Sequence, residues 1–417
     1  MPSNFVTAML KGGTNSFALK GADATLGTLQ TFYDGKRPKG YQPMKLQGAV
    51  VLGTGGDNTA ASKGVFFEGC IMQNYTTNSA DDSPQADIIN AKYDTFPPAA
   101  EPCDILATAG NPCVAAYSTT RALYAKFSGP LYQVTRSDGM THDIVPIYPG
   151  GAAFAANQDT FCRNSECFVS ILYDQSPQGN HLTPSGQLLN STGLPMFAGH
   201  TPWLRQNGVY GLYFNAGFGH KREVANGLAL GVAAETYYAV VGANNYSSSC
   251  CFEFANGNSG TNLQGIYFGS NNSTGFGSGA GPWTMLAEQG TLYSGNTQYN
   301  PNLYPVQFTD FVTSVVKGNQ NNFAIKTGNA VYGKLTLGYE GPRATAAPVL
   351  PSSVSLGNVA FSDTGVGSFF EGYIASGYTS DETDNAVQAN IVAVSYTLHD
   401  NCCPPIPAAD LQHRGTA

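Results

Sequence analysis

The sequence predicts an all-β protein, a two-sheet β-sandwich with a few short helices. Two observations carry that prediction. Short runs rich in Val, Ile, Tyr and Phe, bounded by Gly, Asn and Pro, recur along the chain, and segments with helical periodicity are rare. The clearest runs are CFVSILYDQ (residues 167–175), GVYGLYFN (208–215), TYYAVVGA (236–243) and FVTSVVKG (311–318). Two segments read as helices. STTRALYAKF (118–127) opens with a Ser/Thr cap, and TDNAVQANIVAVSYT (383–397) sets Val387, Ile391 and Val394 on one stripe. Many short strands with few helices bury their apolar faces as two packed sheets.

Hydrophobic residues make up 42% of the 417 residues, ample for a core, while charged residues make up only 12%. That is roughly half the usual share of about 25%. Gly (49), Asn, Ser, Thr and Tyr take up the difference, giving a polar, weakly ionic surface suited to neutral sugars. The net charge of −8, with no run of Lys or Arg, argues against nucleic acid as a partner. No window approaches 18 consecutive apolar residues, so no membrane-spanning helix is expected.

Nine cysteines add a compartment. Cys103 and Cys113 lie ten apart, Cys162 and Cys167 five apart, and Cys250 and Cys251 are adjacent. Such spacings fit local disulfides in an oxidising environment. No C-x-x-C pair is matched by a His pair, so no metal site is expected. Sequons at Asn74, Asn190, Asn245, Asn271 and Asn272 also suit a secreted glycoprotein. Yet MPSNFVTAMLKGG carries no signal-peptide pattern.

An internal repeat explains that mismatch. Residues 5–94 answer to residues 311–397: FVTAMLKGG to FVTSVVKGN, and FFEGCIMQNYTTNSADDSPQADIINAKY to FFEGYIASGYTSDETDNAVQANIVAVSY. The two copies stand some 200 residues apart, so this is no solenoid. The organisation expected is a partial duplicate of a domain's C-terminal part (1–94), a Pro-rich linker (95–102), one whole domain (103–397) and a tail (398–417). On this reading the chain opens in mid-domain.

From Cys103 onward the sequence resembles one family, the catalytic domain of fungal α-L-arabinofuranosidase B, glycoside hydrolase family 54. The resemblance rests on CDILATAGNPCVAAYSTTRALY (103–124), GPLYQVTR (129–136), NQDTFCRNSECFVSILYDQSPQGNHL (157–182), CCFEFAN (250–256), IYFG (266–269), GSGAGPWTMLAEQGTLYSG (277–295) and QANIVAVSY (388–396). It implies a concanavalin- or lectin-like sandwich that releases non-reducing terminal α-L-arabinofuranosyl groups from arabinan- or arabinoxylan-type plant cell-wall polysaccharide. The mechanism it implies needs no cofactor and no metal, and the chain is expected to be a secreted monomer. Retention of configuration needs two carboxyls about 5–5.5 Å apart, a nucleophile and an acid/base.

The resemblance assigns the nucleophile, after a one-residue shift, to Glu288, followed by Gln289 where the family has Asn and then by Gly290. It makes Cys250–Cys251 a vicinal disulfide under the sugar, and Cys103–Cys113 and Cys162–Cys167 structural disulfides. Asp174 and His181 are read as parts of a hydrogen-bonded turn. For the acid/base the resemblance points to the Asp of a Gly-Gly-Asp-Asn turn. Its clean form is Asp57 in the partial copy, whereas the complete copy reads GNVAFSDTGVGSFFEG and offers Asp363. A family Trp and Asp are replaced by Thr274 and Leu286. Three readings stay open: an enzyme using Glu288 and Asp363, an exchanged arrangement bringing Asp57 to Glu288, and a catalytically impaired relative that binds carbohydrate or serves a structural role.

Overall fold

The computed structural model describes residues 5–42, 50, 52–53, 64, 66–90, 100–185, 205–206, 209–214, 218–246, 252–257, 262–270, 281–295, 310–357, 366–394 and 396. Asp57, Asp363, Cys250, Cys251, Thr274, Cys402 and Cys403 lie outside them. The chain divides into two compact units, Met1–Pro97 and Pro98–Ala417. Among the described residues no helix is long and apolar enough to cross a membrane.

The first unit holds β1 (Val6–Gly12), β2 (Ser16–Asp23), β3 (Gln30–Lys36) and α1 (Asn78–Asn90). The strands form an antiparallel sheet in that order, with a bulge between Leu19 and Lys20. Helix α1 is tied to the sheet by charge. Buried Asp81 accepts from Lys11 Nζ at 2.6 Å and Lys20 Nζ at 2.7 Å. Burial opposes its ionisation, but the two ammonium groups and Thr76 outweigh that and hold its pKa down at about 2.

The second unit begins with α2 (Pro102–Thr108), β4 (Cys113–Ser118), β5 (Tyr132–Arg136), β6 (Thr141–Ile144), α3 (Ala155–Phe161), β7 (Cys167–Leu172), β8 (Thr183–Ser185), β9 (Arg205–Gln206), β10 (Val209–Tyr210) and β11 (Leu212–Phe214). It continues with β12 (Gly219–Arg222), β13 (Leu230–Gly231), β14 (Glu235–Gly242), β15 (Glu253–Gly257), β16 (Leu263–Gly269), β17 (Trp283–Glu288) and β18 (Thr291–Tyr293). It closes with β19 (Phe311–Gly318), β20 (Asn322–Asn329), β21 (Thr336–Pro342), β22 (Leu350–Pro351), β23 (Val354–Gly357), β24 (Gly367–Ser376) and α4 (Asp381–Ala393).

Two seven-stranded sheets make the sandwich. One runs β11-β24-β14-β19-β20-β21 with β4 on β24, and the other runs β18-β17-β16-β15-β23-β12-β8. Between them lies the main core, where Tyr237, Val241, Val312 and Val316 meet Phe254, Ile266, Leu286 and Leu356. The back of the first sheet is covered by helix: Val387 and Ile391 of α4 pack on Tyr238, Val315, Phe370 and Tyr373. Helix α4 follows its sequence signals, with Ser380 accepting from Thr383 N as N-cap.

The other expected helix does not form. In residues 118–127, Ser118 ends β4 and its hydroxyl accepts from the backbone N–H of Thr120 and of Arg121, making a turn. Arg121 is drawn into a buried network instead of a helical face. Its guanidinium grips Glu371 at 2.6 and 2.7 Å and reaches Glu101 and Asn390, each at 2.7 Å. Tertiary pairing outweighs a local capping preference of about 1 kcal/mol.

The repeated segments adopt the same internal geometry within each unit. β19, β20 and β21 match β1, β2 and β3, and the bulge recurs between Ile325 and Lys326. Asp384 of α4 accepts from Lys317 at 2.9 Å and Lys326 at 2.6 Å, as Asp81 does from Lys11 and Lys20. Gln388 donates to Asn329 O as Gln85 donates to Asp23 O. Phe311 and Phe370 stack edge-on at 5.0 Å, and Phe5 and Phe67 at 5.3 Å. One difference matters. β19 pairs along all eight residues with β14, which stands between β19 and β24. Among the described residues β1 pairs only with β2, and 66–73 form no strand.

Candidate active site

The Gly-Pro-Trp motif opens β17, after a cis Gly281–Pro282 peptide. Along this strand side chains alternate between the two faces of the sheet. Trp283, Met285 and Ala287 join Ala255, Leu263, Tyr267 and Leu292 in a cluster on the outer face. Leu286 enters the core between the sheets, and Thr284 shares a 2.7 Å hydrogen bond with Ser314 of the opposite sheet. Glu288 has the parity of Thr284 and Leu286, so it too points between the sheets.

There it meets Arg343. Glu288 and Arg343 form an ion pair whose side chains are only 2% and 3% exposed. Arg343 also donates to Gln264 Oε1 and, at 2.6 Å, to Asn319 O. Burial pushes the Glu288 carboxyl up to about 7, although Arg343 and Thr345 pull it down. Burial pulls Arg343 down as well, but a guanidinium keeps its proton throughout the physiological range, so the carboxyl is the group that titrates. Glu288 Oε1 has no hydrogen-bond partner. A half-satisfied carboxyl titrating near neutrality is a chemical resource.

Gln289 and Gly290 form the two-residue turn from β17 to β18, with φ of 49° and 76°. Two consecutive positive φ values are the mark of a type I′ hairpin, a geometry that glycine adopts freely and Gln adopts under strain. The Gln289 amide donates to Ala346 O at 2.8 Å on the exposed rim.

At the other end of β15, two residues after Cys251 in sequence, Glu253 faces outward. It lies opposite Tyr267 on one side and Gly357 on the other. It is 1% exposed, and neither carboxylate oxygen has a hydrogen-bond partner. Burial alone pushes it up to about 8. Gly357 leads directly into residues 358–365, which carry Asp363. The two acids thus lie at opposite ends of the sheet: Glu288 pairs through Gln264 with the far end of β16, and Glu253 marks the end near Trp283.

The remaining expectations fall on structural roles. Cys103–Cys113 and Cys162–Cys167 are disulfides. Asp174 accepts from Ala116 N, Ser176 N, Ser176 Oγ and Asn180 N, and its own N–H donates to His181 Nδ1. That makes the turn a rigid support. A surface groove of about 500 Å³ lies on the far edge, lined by Thr183, Pro184, Lys221, Arg222, Glu223 and Val224. It is remote from β17. Arg343, Gln264 and Glu253 were not singled out from sequence. A Glu inside CCFEFAN was the one legible hint, since an acid within an apolar strand must be buried.

The model of the family described as "Alpha-L-arabinofuranosidase B, catalytic" matches residues 1–94 and again residues 102–397. The chain belongs to this family. Its relatives include a probable α-L-arabinofuranosidase B of Aspergillus fumigatus, 43% identical over 71% of this chain and 62% of that protein. The α-L-arabinofuranosidase B of Aspergillus oryzae is 42% identical over 72% of this chain and 63% of that protein. The chain thus spans somewhat less than two thirds of these relatives' length. A solved arabinofuranosidase complexed with arabinofuranosyl-α-1,2-xylobiose matches with a TM-score of 0.67 and 39% identity, covering 73% of this chain and 67% of that one. A glycoside hydrolase family 54 α-L-arabinofuranosidase soaked with a cyclic sulfate inhibitor matches with a TM-score of 0.66 and 38% identity, covering 72% and 66%.

Proposed function

We propose that residues 102–397 form a retaining glycoside hydrolase that releases terminal α-L-arabinofuranosyl groups from arabinan- or arabinoxylan-type polysaccharide. What carries this reading is family membership over the whole sandwich, together with a buried carboxyl, Glu288, at the end of the Gly-Pro-Trp strand. Glu288 is the proposed nucleophile. Asp363, or Asp57 from the repeated segment, is the proposed acid/base. Cys250–Cys251, Gln289 and Gly290 are proposed to contact the sugar. For Glu288 to attack, Arg343 must yield its hold on the carboxylate. Glycosyl transfer to Glu288 would form an ester at the anomeric carbon while the acid protonates the leaving oxygen, and water would then release arabinose. The protein is proposed to act outside the cell as a monomer.

One observation favours a second reading, an impaired relative that binds arabinofuranosides without cleaving them. Glu288 is turned into the core and engaged by Arg343, instead of facing the outer cluster of Trp283, Tyr267 and Met285. The two readings separate on arabinofuranosyl-xylobiose followed by NMR. Initial appearance of α-arabinofuranose supports retaining hydrolysis. Saturable binding without turnover supports the binder.

Residues 5–90 are proposed to be a second copy of the sandwich's closing third. The matched lysine–aspartate networks, the matched bulges and the matched Phe pairs support this.

A further inference from the structure

We propose that Glu235 is a positioning residue for Glu288: a buried hydrogen-bond chain through Tyr237, Gln264 and Arg343 fixes the direction in which the guanidinium meets the Glu288 carboxylate. The inference deepens the reading of Glu288 as nucleophile and rests on it for its bearing on catalysis. Glu235 opens β14 and is fully buried, yet the reaction proposed for Glu288 makes no use of it. It shares the parity of Tyr237, whose ring lies in the core between the sheets. Gln264, on β16 of the opposite sheet, stands directly across from Glu288.

The chain runs one way. Tyr237 Oη donates to Glu235 Oε2 at 2.7 Å, Gln264 Nε2 donates to the Tyr237 oxygen at 3.5 Å, and Arg343 Nη2 donates to Gln264 Oε1. Arg343 Nη1 then reaches Glu288 Oε2, while its Nε donates to Asn319 O at 2.6 Å. At Glu235 the other donors are fixed. One is the backbone N–H of Ala229. The second, Asn256 Nδ2 at 3.0 Å, cannot exchange with its own oxygen, because Asn256 Oδ1 accepts from Ser353 N at 3.1 Å. An ionised Glu235 can only accept, so the Tyr237 hydroxyl proton turns toward it and the Tyr237 oxygen is left as an acceptor. The Gln264 amide must then present Nε2 to Tyr237 and Oε1 to Arg343. Reversing the chain would set Gln264 Nε2 against Arg343 Nη2, donor to donor. Gly318, opposite Glu235 on β19, makes room for that junction: a Cβ there would collide with Arg343 Nη2 and lie 2.6 Å from Gln264 Oε1. The ionisable groups facing Arg343 are Glu288 of β17, Tyr237 of β14 and Tyr378 beyond β24, and Glu235 is faced by Tyr237.

The test titrates the Glu288 carboxyl in the full chain by carbon-13 NMR of the glutamate-labelled protein, with Glu288→Gln assigning its resonance. Removing the carboxylate at residue 235 would, by direct charge effect, make Glu288 easier to ionise. Loosening Arg343 does the opposite, so the sign separates the chain from simple electrostatics. Glu235→Gln and Tyr237→Phe should each raise the proton affinity of Glu288 about tenfold, and the double variant should raise it no further. Gly318→Ala, which leaves every member of the chain in place, should raise it in the same direction by crowding the Arg343–Gln264 junction. Melting curves establish that each variant is folded; where Glu235→Gln does not fold, the other two variants decide. A Glu288 proton affinity unchanged or lowered in the folded variants, or additive rises in the double variant, would overturn the proposal. In an active enzyme the acid limb of kcat/KM moves to higher pH with the same variants. Absence of turnover, or turnover that survives Glu288→Ala, would overturn the nucleophile reading and leave the titration result standing.

Discussion

Arg343→Met isolates the central electrostatic feature of the site. The guanidinium satisfies Glu288 Oε2, Gln264 Oε1 and Asn319 O, all from one buried position. Met keeps most of the aliphatic volume and removes every donor. Breaking a buried pair by deleting one partner costs about 3–5 kcal/mol, because the other charge is left without compensation. That is a large part of a typical stability of about 5–15 kcal/mol. Glu288 answers by taking up a proton, so its pKa, already about 7, rises further once Arg343 no longer pulls it down. The loss should therefore be smaller at pH 5, where the carboxyl is neutral, than at pH 8. Urea unfolding of Arg343→Met, Glu288→Gln and the double variant gives the cycle. The double variant should be closer to wild type than Arg343→Met is at pH 8. A loss under about 1 kcal/mol for Arg343→Met, or simple additivity in the double variant, would refute the reasoning.

Three further outcomes follow from the same accounting. Glu253 is raised from 4.5 to about 8 by burial, so the stability tied to its proton is complete below about pH 4.5 and is lost as pH rises through 8. Glu253→Gln should match wild type near pH 4.5 and exceed its melting temperature at pH 9; equal melting at both pH values would contradict the assignment. Asp81 is depressed from 3.8 to about 2, so its contribution is complete above about pH 4 and fades as pH falls through 2. Circular dichroism of Asp81→Asn should show the first unit weakened at pH 7 and no longer weaker than wild type near pH 2. Replacing Cys103 and Cys113 by Ser removes the tie between α2 and β4, and should cost roughly 2–4 kcal/mol in denaturant unfolding.

The sandwich was legible because period-two apolar runs and turn residues are local. Three of the four strands read from sequence appear as single strands, while 208–215 divides into β10 and β11 around Gly211, where an added Cβ would meet the Phe370 ring at 2.4 Å. Helix α4 was legible from its stripe and its Ser cap. The false helix at 118–127 shows the limit: its fate was decided by Glu371, some 250 residues away, and no local pattern reports that partner. The same limit applies to the site. A Glu after Gly-Pro-Trp is visible in sequence, but its facing depends on strand parity, where a shift of one residue exchanges core for outer face. Arg343 lies 55 residues from Glu288 in the chain and was invisible for that reason. The likeness of residues 5–90 to 311–393 is visible in the sequence, while the pairing of β19 with β14, which β1 does not share among the described residues, needed the structure.

The most direct measurement is the rate of arabinose release from an aryl α-L-arabinofuranoside by the full chain, compared with Glu288→Ala. Measurable turnover is expected, falling by roughly 10⁴-fold or more in the variant through loss of the covalent nucleophile. Turnover unchanged in Glu288→Ala, with the variant folded, would contradict the assignment of the chemistry to Glu288. No turnover in a folded wild-type chain that still binds the glycoside would establish the binding relative instead.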